Sequence, residues 1–448
     1  MTEFKDKTVA VIGLARSGLA CCEVLTQLGA HVIPYDGKPA DQIAEAVAEV
    51  TALGLTARTG GAALDYGILD YVVTSPGVRA GAAVLQEAVA AGVPVLGEIE
   101  AAYRIARAPI LAITGTNGKT TTTVLLGEML RAAGIETYIA GNIAAGDIAM
   151  PLIKAAFLAP PEAAIVAEIS SFQLEWVSTF RPKVAALLNI TPDHLDRQTW
   201  EEYVAAKWRI FAYQTKDEVA VLPLPLMREP QAKDLRGSVV LSGMPGQVAA
   251  LRMGTRRLPG QHNIENICAA AAMATAFGVG IEPIRQVATT FTGVVHRLEY
   301  VGTRDGVKYV NNSMCTNAAA FEKSLEALPE PKVVIAGGVY KGDDVAKLGE
   351  AVAKNAVRAL VLIGRSAPEI EASARAAGFG NVTHADTLQE AVTQAKALAQ
   401  AGDTVLLAPA CVSFDMFRDF EDRGEQFKAA VRDLPPAASR RPLPVREG

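Results

Sequence analysis

The stretch Ala112-Ile113-Thr114-Gly115-Thr116-Asn117-Gly118-Lys119-Thr120-Thr121 decides the fold, because an apolar strand-like run leads into it and a helix-like run follows. The glycines let several backbone N–H groups face one anion, and Lys119 adds a full charge beside the positive end of the helix dipole. Thr120 can offer its hydroxyl to Mg²⁺. Ile113 stands where the usual P-loop has glycine, so the spacing is a shortened form. We therefore expect a phosphate-binding loop, with a glycine-rich turn beside a chance lysine as the weaker alternative.

Length and composition narrow the class of protein. A chain of 448 residues is long enough for about three domains of ~150 residues. Its net charge of −5 does not suggest the basic surface of a nucleic-acid-binding protein. Its apolar runs fall short of the ~18–20 residues that span a bilayer, and its first residues lack the features of a signal peptide. We expect a cytoplasmic protein with small-molecule substrates, whose five cysteines, without a C-x-x-C pair, are reduced and mostly buried.

The N-terminal segment has the pattern of a Rossmann-like domain. Lys7–Ile12 predicts a buried parallel strand, and Gly13-Leu14-Ala15-Arg16-Ser17-Gly18 opens a helix. The next strand ends in Asp36, at the separation where an acid meets a ribose in dinucleotide-binding folds. A later strand ends at the loop Ser75-Pro76-Gly77, on the edge where parallel sheets bind ligands. Ala15 replaces a glycine of the dinucleotide fingerprint, so NAD(P) is the weaker alternative here.

Polar side chains follow two predicted strands of the central segment. Glu168 ends one apolar strand. The strand predicted over 184–190 is followed by a polar cluster: Asp193, His194 and Asp196. Both strand ends should face the phosphates, where Mg²⁺ prefers oxygen ligands. Glu168 suits a Walker-B-like role, and His194 has the best claim among the histidines to a metal.

The rest of the central segment carries a lysine and two asparagines of interest. A helix predicted over 200–213 places Lys207 among apolar neighbours. The proline-broken stretch 223–245 suggests a peripheral loop or short strand. An alanine-rich helix follows, and Asn263 and Asn266 share one face of it because they are three residues apart.

A third α/β segment begins near residue 294. In it, helices alternate with strands predicted over 332–336, 359–363 and 404–408. Three of its loops follow strands at the expected ligand edge: 311–317, 337–344 and 409–415. The polar, proline-rich residues 435–448 are expected to be disordered.

Six motifs, taken together and in this order, resemble the Mur ligases. They are T-G-T-N-G-K-T-T at 114–121, A-E-I-S-S-F-Q-L-E at 167–175, N-I-T-P-D-H-L-D-R at 189–197, A-A-K-W-R-I-F at 205–211, G-Q-H-N-x-x-N at 260–266 and H-R-L-E at 296–299. Three further stretches are similar to the branch of the family that uses D-glutamate: G-L-A-R-S-G at 13–18, S-P-G at 75–77 and A-P-A-C-V-S-F-D-M-F-R-D-F-E-x-R-G at 408–424. The resemblance spans nearly the whole chain.

The resemblance implies an α/β protein of three domains. These are a Rossmann-like N-terminal domain for a UDP-sugar over 1–107, a central P-loop ATPase-like domain over 108–293 and a Rossmann-like C-terminal domain for an amino acid over 294–434, followed by a tail over 435–448. The implied reaction is the ATP-dependent addition of D-glutamate to UDP-N-acetylmuramoyl-L-alanine through an acyl phosphate. It yields ADP and phosphate and belongs to cytoplasmic peptidoglycan precursor synthesis. A monomer that binds no nucleic acid and spans no membrane is expected.

The same resemblance assigns roles to individual residues. The implied catalytic set is Lys119, Glu168, His194 and Lys207. The implied nucleotide site is Gly115, Thr116, Asn117, Gly118, Lys119, Thr120, Thr121, Asn266 and Arg297. The UDP-sugar is expected at Ser17, Asp36, Ser75 and Gly77, and the amino acid at Thr316, Lys341, Ser413 and Phe420. Asn142 is implied as a contact of both the nucleotide and the substrate. Two Mg²⁺ ions are implied, with ligands from Thr120, Glu168, His194 and Lys207, the last carried as a carbamate.

Three positions depart from the family pattern and leave alternatives open. Asn312 and Met314 replace a carboxylate and a lysine that are common in the family, and Val339 stands where an acid is common. The alternatives are a ligase for another amino acid or carboxylate, such as a folylpolyglutamate synthetase, a non-catalytic nucleotide-binding protein and, less favoured, an NAD-dependent dehydrogenase. Covalent catalysis is not expected, because Cys315 and Cys411 have no evident base in the sequence.

Overall fold

The computed structural model describes residues 3–143, 149–192, 199–252, 261–340 and 345–435. Contacts divide the chain into two compact units, Met1–Phe291 and Thr292–Gly448. None of the helices in the described ranges is both long and apolar enough to cross a membrane.

The first unit begins with a parallel sheet flanked by helices. Its elements are β1 (Thr8–Ile12), α1 (Arg16–Gln27), β2 (His31–Asp36), α2 (Ala44–Ala52), β3 (Arg58–Thr59), β4 (Tyr71–Thr74), α3 (Ala83–Ala90), β5 (Val95–Gly97) and α4 (Glu98–Ile105). The strand order is β3-β2-β1-β4-β5. Because β1 lies at the centre, the loops after β1, β2 and β4 meet at one edge. Gly18 is required there, since a Cβ on it would lie 1.8 Å from the carbonyl oxygen of Gly13.

A second parallel sheet follows in the same unit. Its elements are β6 (Ile110–Thr114), α5 (Lys119–Ala132), β7 (Thr137–Gly141), β8 (Ala149–Met150), α6 (Leu152–Leu158), β9 (Ala164–Glu168), β10 (Val184–Leu187), α7 (Trp200–Trp208), β11 (Val219–Pro223), β12 (Ser238–Ser242), α8 (Pro245–Ala250), α9 (Gln261–Ala276) and α10 (Ile281–Thr290). Within the described residues the strand order is β12-β11-β10-β6-β9-β7-β8. The strand β6 therefore lies between β9 and β10. Glu168, at the end of β9, is thus beside the loop 115–118 that follows β6, the predicted phosphate-binding loop, called the phosphate loop below.

The second sheet differs from the sequence prediction in two places and agrees with it in a third. The strand predicted over 184–190 ends at Leu187, after which the chain turns towards the phosphate loop. The helix predicted over 200–213 ends at Trp208 and continues as a 3₁₀ turn, Arg209–Phe211. The stretch 223–245 contains the predicted short strand, β12, which pairs in parallel with β11 at an edge of the sheet.

The two sheets of the first unit share one apolar core. A single cluster of buried side chains includes Val9 and Val11 of β1 together with Ala112 of β6 and Ile165 of β9. At the same junction the carboxylate of Glu100, which is fully buried, accepts hydrogen bonds from the segment 178–180. These contacts join the N-terminal sheet to the central sheet.

The second unit is a mixed sheet with helices on its faces. Its elements are β13 (Glu299–Arg304), β14 (Val307–Asn311), α11 (Ala318–Glu326), β15 (Lys332–Gly337), α12 (Ala346–Lys354), β16 (Val357–Ile363), α13 (Ala367–Ala376), β17 (Val382–His384), α14 (Leu388–Leu398), β18 (Thr404–Leu407) and α15 (Phe420–Arg432). The described strands run in the order β13-β14-β18-β15-β16-β17, and β13 pairs antiparallel with β14. The prediction of an α/β fold with parallel sheets is confirmed.

Candidate active site

The phosphate loop leads from β6 directly into α5. Gly118 is the N-cap of α5 and has φ +82°, a left-handed conformation that favours glycine. Space also requires glycine here, because a Cβ on Gly118 would lie 2.2 Å from Oδ1 of Asn266. Asn266 is buried in α9, and its Oδ1 accepts a hydrogen bond from Thr122 Oγ1 at 3.4 Å. The structure thus places the predicted Asn266 against the loop, and its Nδ2 lies 3.5 Å from Oδ1 of Asn263, as their shared helix face predicts.

Lys119 folds back over the loop that precedes it. Its Nζ donates hydrogen bonds to the carbonyl oxygens of Gly115 at 3.0 Å and Thr116 at 2.9 Å. The side chain is half-buried, so the ammonium lies at the surface of the loop rather than in the core. A cation held against the first turn of a helix is a suitable arrangement for binding a phosphate group.

Thr120 and Glu168, two of the predicted metal ligands, are in direct contact. The Thr120 hydroxyl donates to Glu168 Oε2 at 2.8 Å, and both side chains are buried. Asn142 Nδ2 donates to the other carboxylate oxygen, Oε1, at 3.3 Å. A hydroxyl and a carboxylate at this spacing supply the hard oxygen ligands that Mg²⁺ prefers, so these residues fit the ion.

His194, the third predicted ligand, and its neighbours Asp193 and Asp196 lie outside the described residues. In the part of the chain that the structure describes, no three histidine, cysteine, aspartate or glutamate side chains gather into a metal site. The structure therefore brings Thr120 and Glu168 together, and these two residues form the candidate metal site of this unit.

Lys207 lies under the phosphate loop. A capping box starts α7: Thr199 Oγ1 accepts from the N–H of Glu202, and the Glu202 carboxylate accepts from the N–H of Thr199. Tyr203 and Lys207, four residues apart, then share one face of the helix. Lys207 is 2% exposed, donates from Nζ to the carbonyl oxygen of Gly115 at 2.8 Å and lies 4.5 Å from the centre of the Tyr203 ring.

Two residues that the sequence analysis did not assign brace the phosphate loop. Tyr203 Oη lies 2.9 Å from Thr116 Oγ1. Asn189 pairs with Asn117 in both directions: its Oδ1 accepts from the Asn117 N–H at 2.9 Å, and its Nδ2 donates to the Asn117 carbonyl at 3.1 Å. Asn189 opens the motif N-I-T-P-D-H, so its signal was present in the sequence. For Tyr203 the only sequence signal was its position four residues before Lys207, which places both side chains on one face of α7.

The predicted UDP-sugar residues meet at the edge of the N-terminal sheet. Asp36 Oδ2 accepts from the N–H of Leu14 at 2.9 Å, and Ser75 Oγ donates to the carbonyl of Gly13 at 2.7 Å. Asp36 and Ser75 therefore shape the loop after β1, which leads into the first turn of α1, where Ser17 is half-buried. In the structure, Asp36 holds this loop in place through its hydrogen bond from the N–H of Leu14.

A cleft opens beside the loop after β4. It has a volume of about 1090 Å³ and lies between that loop, the turn after β9 and one face of α7. Its walls include Gly77, Arg79, Phe172, Trp176 and Arg209. An aromatic wall with arginine side chains suits a ligand that carries both a ring and negative charge.

In the second unit, a buried arginine connects two of the predicted ligand loops. Arg423 is fully buried, and it donates from Nε and Nη2 to Oγ and the carbonyl of Ser313 at 2.9 and 2.8 Å, and from Nη1 to the carbonyl of Cys411 at 3.0 Å. Burial lowers the pKa of Arg423 to about 10. Ser313 Oγ in turn donates to the carbonyl of Phe420 at 2.6 Å.

This arrangement brings together three parts of the predicted amino-acid site. They are the loop 311–317 with Thr316, the loop 409–415 with the buried Ser413, and Phe420. Lys341 lies outside the described residues. Sequence reasoning missed Arg423, although it belongs to the quoted motif E-x-R-G.

Arg297 is presented by a strained turn. Its two neighbours have left-handed backbone angles, φ +62° at His296 and φ +43° at Leu298, which are uncommon for residues other than glycine. His296 is held in the interior by Asn311, whose Nδ2 lies 3.0 Å from His296 Nδ1. Burial lowers the pKa of His296. Arg297 itself is exposed at the tip of the turn.

Asn312, one of the departures from the family pattern, forms hydrogen bonds through both the nitrogen and the oxygen of its side-chain amide. Nδ2 donates to Ser324 Oγ at 2.6 Å, and Oδ1 accepts from the N–H of Leu298 at 3.1 Å. The residue is 6% exposed. An asparagine satisfies both contacts where an aspartate would lack the donor.

The cysteines do not supply a nucleophile. Cys21, Cys22, Cys268, Cys315 and Cys411 are all buried. Burial raises the pKa of Cys315 to about 11 and the pKa of Cys411 to about 12. Because the thiolate is the reactive form, these two thiols are unreactive at neutral pH.

Comparison with known families supports the same domain order. The chain matches the descriptions "Mur ligase MurD-like, N-terminal domain" over residues 7–97, "Mur ligase middle domain" over 113–234 and "Mur ligase, glutamate ligase domain" over 296–411.

Relatives of this chain carry the name UDP-N-acetylmuramoylalanine--D-glutamate ligase. The protein from Pelotomaculum thermopropionicum is 44% identical over 97% of this chain and 99% of its own length. The protein from Caldanaerobacter subterraneus subsp. tengcongensis is 43% identical over 96% of this chain and 99% of its own length. The similarity therefore extends over nearly the full length of both proteins.

Among solved structures, the chain is similar to UDP-N-acetylmuramate-alanine ligase MurC from Thermotoga maritima. The TM-score is 0.51 at 16% identity, covering 95% of this chain and 99% of that protein. A MurF structure from Acinetobacter baumannii has a TM-score of 0.50 at 18% identity, covering 86% of this chain and 88% of that protein. At these identities the likeness concerns the fold.

Proposed function

Because this chain belongs to the Mur ligase family, we propose that it is an ATP-dependent ligase that adds D-glutamate to UDP-N-acetylmuramoyl-L-alanine. The observation that carries the reaction class is the direct contact of Thr120 with Glu168 beside Lys119, at the carboxyl ends of β6 and β9. The substrates are inferred from relatives of that name that are 40–44% identical over nearly the whole chain.

The chemistry requires that a carboxylate be activated before an amine attacks it. Transfer of the γ-phosphoryl group of ATP to the carboxylate of the UDP-sugar substrate gives an acyl phosphate and ADP. The amine of D-glutamate then forms the amide bond and phosphate leaves. The nucleophile belongs to the substrate, in agreement with the buried, protonated thiols of this chain.

The protein must reduce the repulsion between a carboxylate and a triphosphate. Lys119 and the N–H groups at the start of α5 stabilise negative charge on the transferring phosphoryl group, through charges and dipoles that are already in place. Thr120 and Glu168 would hold Mg²⁺, which neutralises phosphate charge when bound. Asn142 fixes the orientation of the Glu168 carboxylate.

We extend this proposal to a carbamate on Lys207 and to a second Mg²⁺ ion. An ammonium next to a cation is unfavourable, whereas a carbamate would offer the oxygen ligands that Mg²⁺ prefers. Burial under the phosphate loop supports the idea, because Lys207 Nζ donates to the Gly115 carbonyl and a carbamate keeps one N–H for this bond. His194 is proposed as a further ligand.

The substrates are assigned to parts of the chain as follows. We place the UDP-sugar on a domain over 1–107, with Ser17, Asp36, Ser75, Gly77 and, from the next domain, Asn142. ATP belongs to a domain over 108–293, with Arg297 just beyond it. D-glutamate belongs to a domain over 294–434, with Thr316, Lys341, Ser413 and Phe420. We propose a monomer that acts in the cytoplasm, the source of both nucleotide substrates.

Phosphate release tests the proposal. The protein, ATP, Mg²⁺ and UDP-N-acetylmuramoyl-L-alanine are incubated with D-glutamate, L-glutamate, D-aspartate or L-alanine in turn. D-glutamate should give the highest initial rate, and product mass should show one new amide. A higher rate with another amino acid would replace the substrate and keep the ligase, whereas no release with any of them would contradict the proposed reaction.

A further inference from the structure

Glu98 is a buried carboxylate that the proposed mechanism does not use. It is the first residue of α4 and is 2% exposed. Its Oε1 accepts a hydrogen bond from the backbone N–H of Ile153, in the first turn of α6, at 2.8 Å. Its Oε2 is also buried and accepts no hydrogen bond of ordinary length from the described residues. Because burying an incompletely paired charge is unfavourable, such a group is a candidate for a functional role.

Polar groups from three elements face this carboxylate. The Arg16 guanidinium and the Cys21 thiol come from α1, and the N–H groups of Leu152 and Ile153 come from α6. The turn after β9 contributes the side-chain amide of Gln173. Other charged groups on these elements form pairs of their own: Lys154 with Glu23 at 2.8 Å, and Glu100 with Arg104 at 2.9 Å.

Two of these groups reach the loops assigned to substrate. Arg16 is the first residue of α1, directly before Ser17, and its Nη1 donates at 3.4 Å to the carbonyl of Ile143, the residue after Asn142. Gln173 Oε1 accepts from the N–H of Ser170 at 2.9 Å, in the turn that follows Glu168. Glu98 therefore interacts with groups that belong to, or contact, three segments near the proposed UDP-sugar site: the start of α1, the segment after β7 and the turn after β9.

We propose that the ionised carboxylate of Glu98 is a positioning residue for the UDP-sugar, an inference that rests on the proposed function. By accepting the hydrogen bond from Ile153 and attracting Arg16 and the amide of Gln173 electrostatically, it holds the start of α1 against the segments after β7 and β9. Removing the charge while keeping the shape should weaken UDP-sugar binding. The phosphate loop has its own contacts, so affinity for ATP should be unchanged.

The charge state of Glu98 provides a test that a purely structural role would not meet. Burial raises the pKa of Glu98 to about 7, although the N–H groups of Ile153 and Leu152, the Arg16 guanidinium and Gln173 favour the ionised form. The folded-state pKa therefore exceeds the ordinary value of 4.5. The neutral acid stabilises the fold fully below pH 4.5, and this stabilisation is lost as the pH rises to about 7. Substrate binding, which uses the ionised form, should improve over the same range.

The test compares the wild type with Glu98→Gln, which keeps the shape, and with Glu98→Asp, which keeps the charge. Glu23→Gln is the matched control, because Glu23 is a carboxylate of the same α1–α6 junction that pairs with Lys154. KM for the UDP-sugar, KM for ATP and the melting temperature are measured between pH 5.5 and 9. UDP-sugar affinity is also measured by calorimetry without ATP.

In the wild type and in Glu23→Gln, KM for the UDP-sugar should rise as the pH falls below about 7. Glu98→Gln should raise this KM about 10-fold at pH 8, as expected for one lost charged contact. In this variant KM for the UDP-sugar should not rise further as the pH falls, and KM for ATP should be unchanged. Glu98→Asp should recover part of the rise of KM at acidic pH. Glu98→Gln should also melt higher than the wild type at pH 8 but not at pH 5.5.

The proposal would be overturned if Glu98→Gln had the wild-type KM for the UDP-sugar and the same rise of this KM at acidic pH. A melting difference that does not depend on pH would also overturn it. These outcomes are distinguishable from failure of the proposed function, because in that case the wild type would release no phosphate. The calorimetric and melting comparisons would then still decide the role of Glu98.

Discussion

Thr120 Oγ1 donates a hydrogen bond to Glu168 Oε2 over 2.8 Å and so joins the first turn of α5 to the carboxyl end of β9. The two residues are 48 positions apart in the chain. They meet because β6 and β9 are adjacent and parallel, so that their carboxyl ends lie side by side. Two of the proposed Mg²⁺ ligands, Thr120 and Glu168, are thus already in contact in the folded chain.

Thr120→Ala should impair use of Mg²⁺ more than it impairs folding. The variant loses a hydroxyl ligand and leaves Glu168 with one fewer donor, which at ~1.5–3 kcal/mol for a charged hydrogen bond corresponds to a loss of about 10–100-fold in activity. Thr120→Ser keeps the hydroxyl and is the control. Rates are measured against Mg²⁺ concentration; equal curves for the alanine variant and the wild type would contradict the ligand role.

Lys119→Ala should leave the fold nearly intact while turnover falls at least ~10²–10³-fold through loss of charge stabilisation in the transition state. The side chain is half-buried, and it donates hydrogen bonds to the loop carbonyls of Gly115 and Thr116. Phosphate release and thermal melting are measured together. Near-normal release with wild-type melting would show that the loop does not bind the triphosphate.

Local sequence signals were sufficient to predict the parts of the site formed by neighbouring residues. The run from β6 through Gly118 to Lys119 specifies a strand, a tight turn and a helix within ten residues, so it could be located without tertiary information. Glu168 could be placed because it ends an apolar strand, and the parallel pairing of such strands is a general rule.

Long-range contacts explain what the sequence could not predict. The backbone partners of Glu100 are 78–80 residues away, and the partners of Arg423 include Ser313, 110 residues away. An amphipathic pattern shows that such a side chain faces inward but does not identify its partner. The short edge strands β8 and β17, with two and three residues, are also too brief to show a period.

Glu100→Gln should destabilise the first unit by at least ~3 kcal/mol, because several buried donors lose a charged acceptor. Its carboxylate accepts from the N–H groups of Ser178, Thr179 and Phe180 at 2.9–3.1 Å and from Arg104 Nε at 2.9 Å. Burial alone would raise the pKa of Glu100, but the bonds from Thr179, Ser178 and Arg104 outweigh it and hold the pKa below its usual value.

The pH dependence of that effect has a definite sign. A lowered folded-state pKa gives stability that is present above the ordinary value of 4.5 and is lost as the pH falls through the folded-state pKa. The gap between wild type and Glu100→Gln should therefore be widest at neutral pH and narrow below about pH 4.5. Chemical unfolding at several pH values measures it, and a gap that is constant with pH would be inconsistent with an ionised Glu100.

Asn312→Asp, which restores a carboxylate common in the family, should destabilise the second unit by about 1–3 kcal/mol at neutral pH. The amide donor to Ser324 Oγ is lost, and a charge is placed at a site that is 6% exposed. Asn317→Asp in the same loop is the control, because Asn317 caps α11 by accepting from the N–H of Ala320 and aspartate caps equally well. Thermal melting compares them; equal melting of both variants would show that the Asn312 amide is not needed.

Substitutions of Lys207 test the proposed carbamate most directly. Lys207 is 2% exposed, and its Nζ donates to the Gly115 carbonyl at 2.8 Å, so it lies beside the phosphate loop rather than in solvent. Lys207→Ala should lose nearly all activity, and short carboxylates such as acetate should restore part of it by supplying the missing oxygens. Lys207→Arg keeps the charge but cannot form the carbamate, and it should remain inactive without rescue, because the larger guanidinium also fills the space that a carboxylate would need.

Isotope labelling separates the carbamate from a plain ammonium. With ¹³C-labelled CO2 and Mg²⁺, the wild type should show a carbamate carbon resonance that is absent from Lys207→Arg. Removal of CO2 should lower wild-type activity, and its return should restore it. Full activity of Lys207→Ala without additives would reject the carbamate, as would a labelled resonance of equal intensity in Lys207→Arg. Either result would leave Lys207 as a cation that supports the Gly115 carbonyl, and the second Mg²⁺ would lose its proposed ligand.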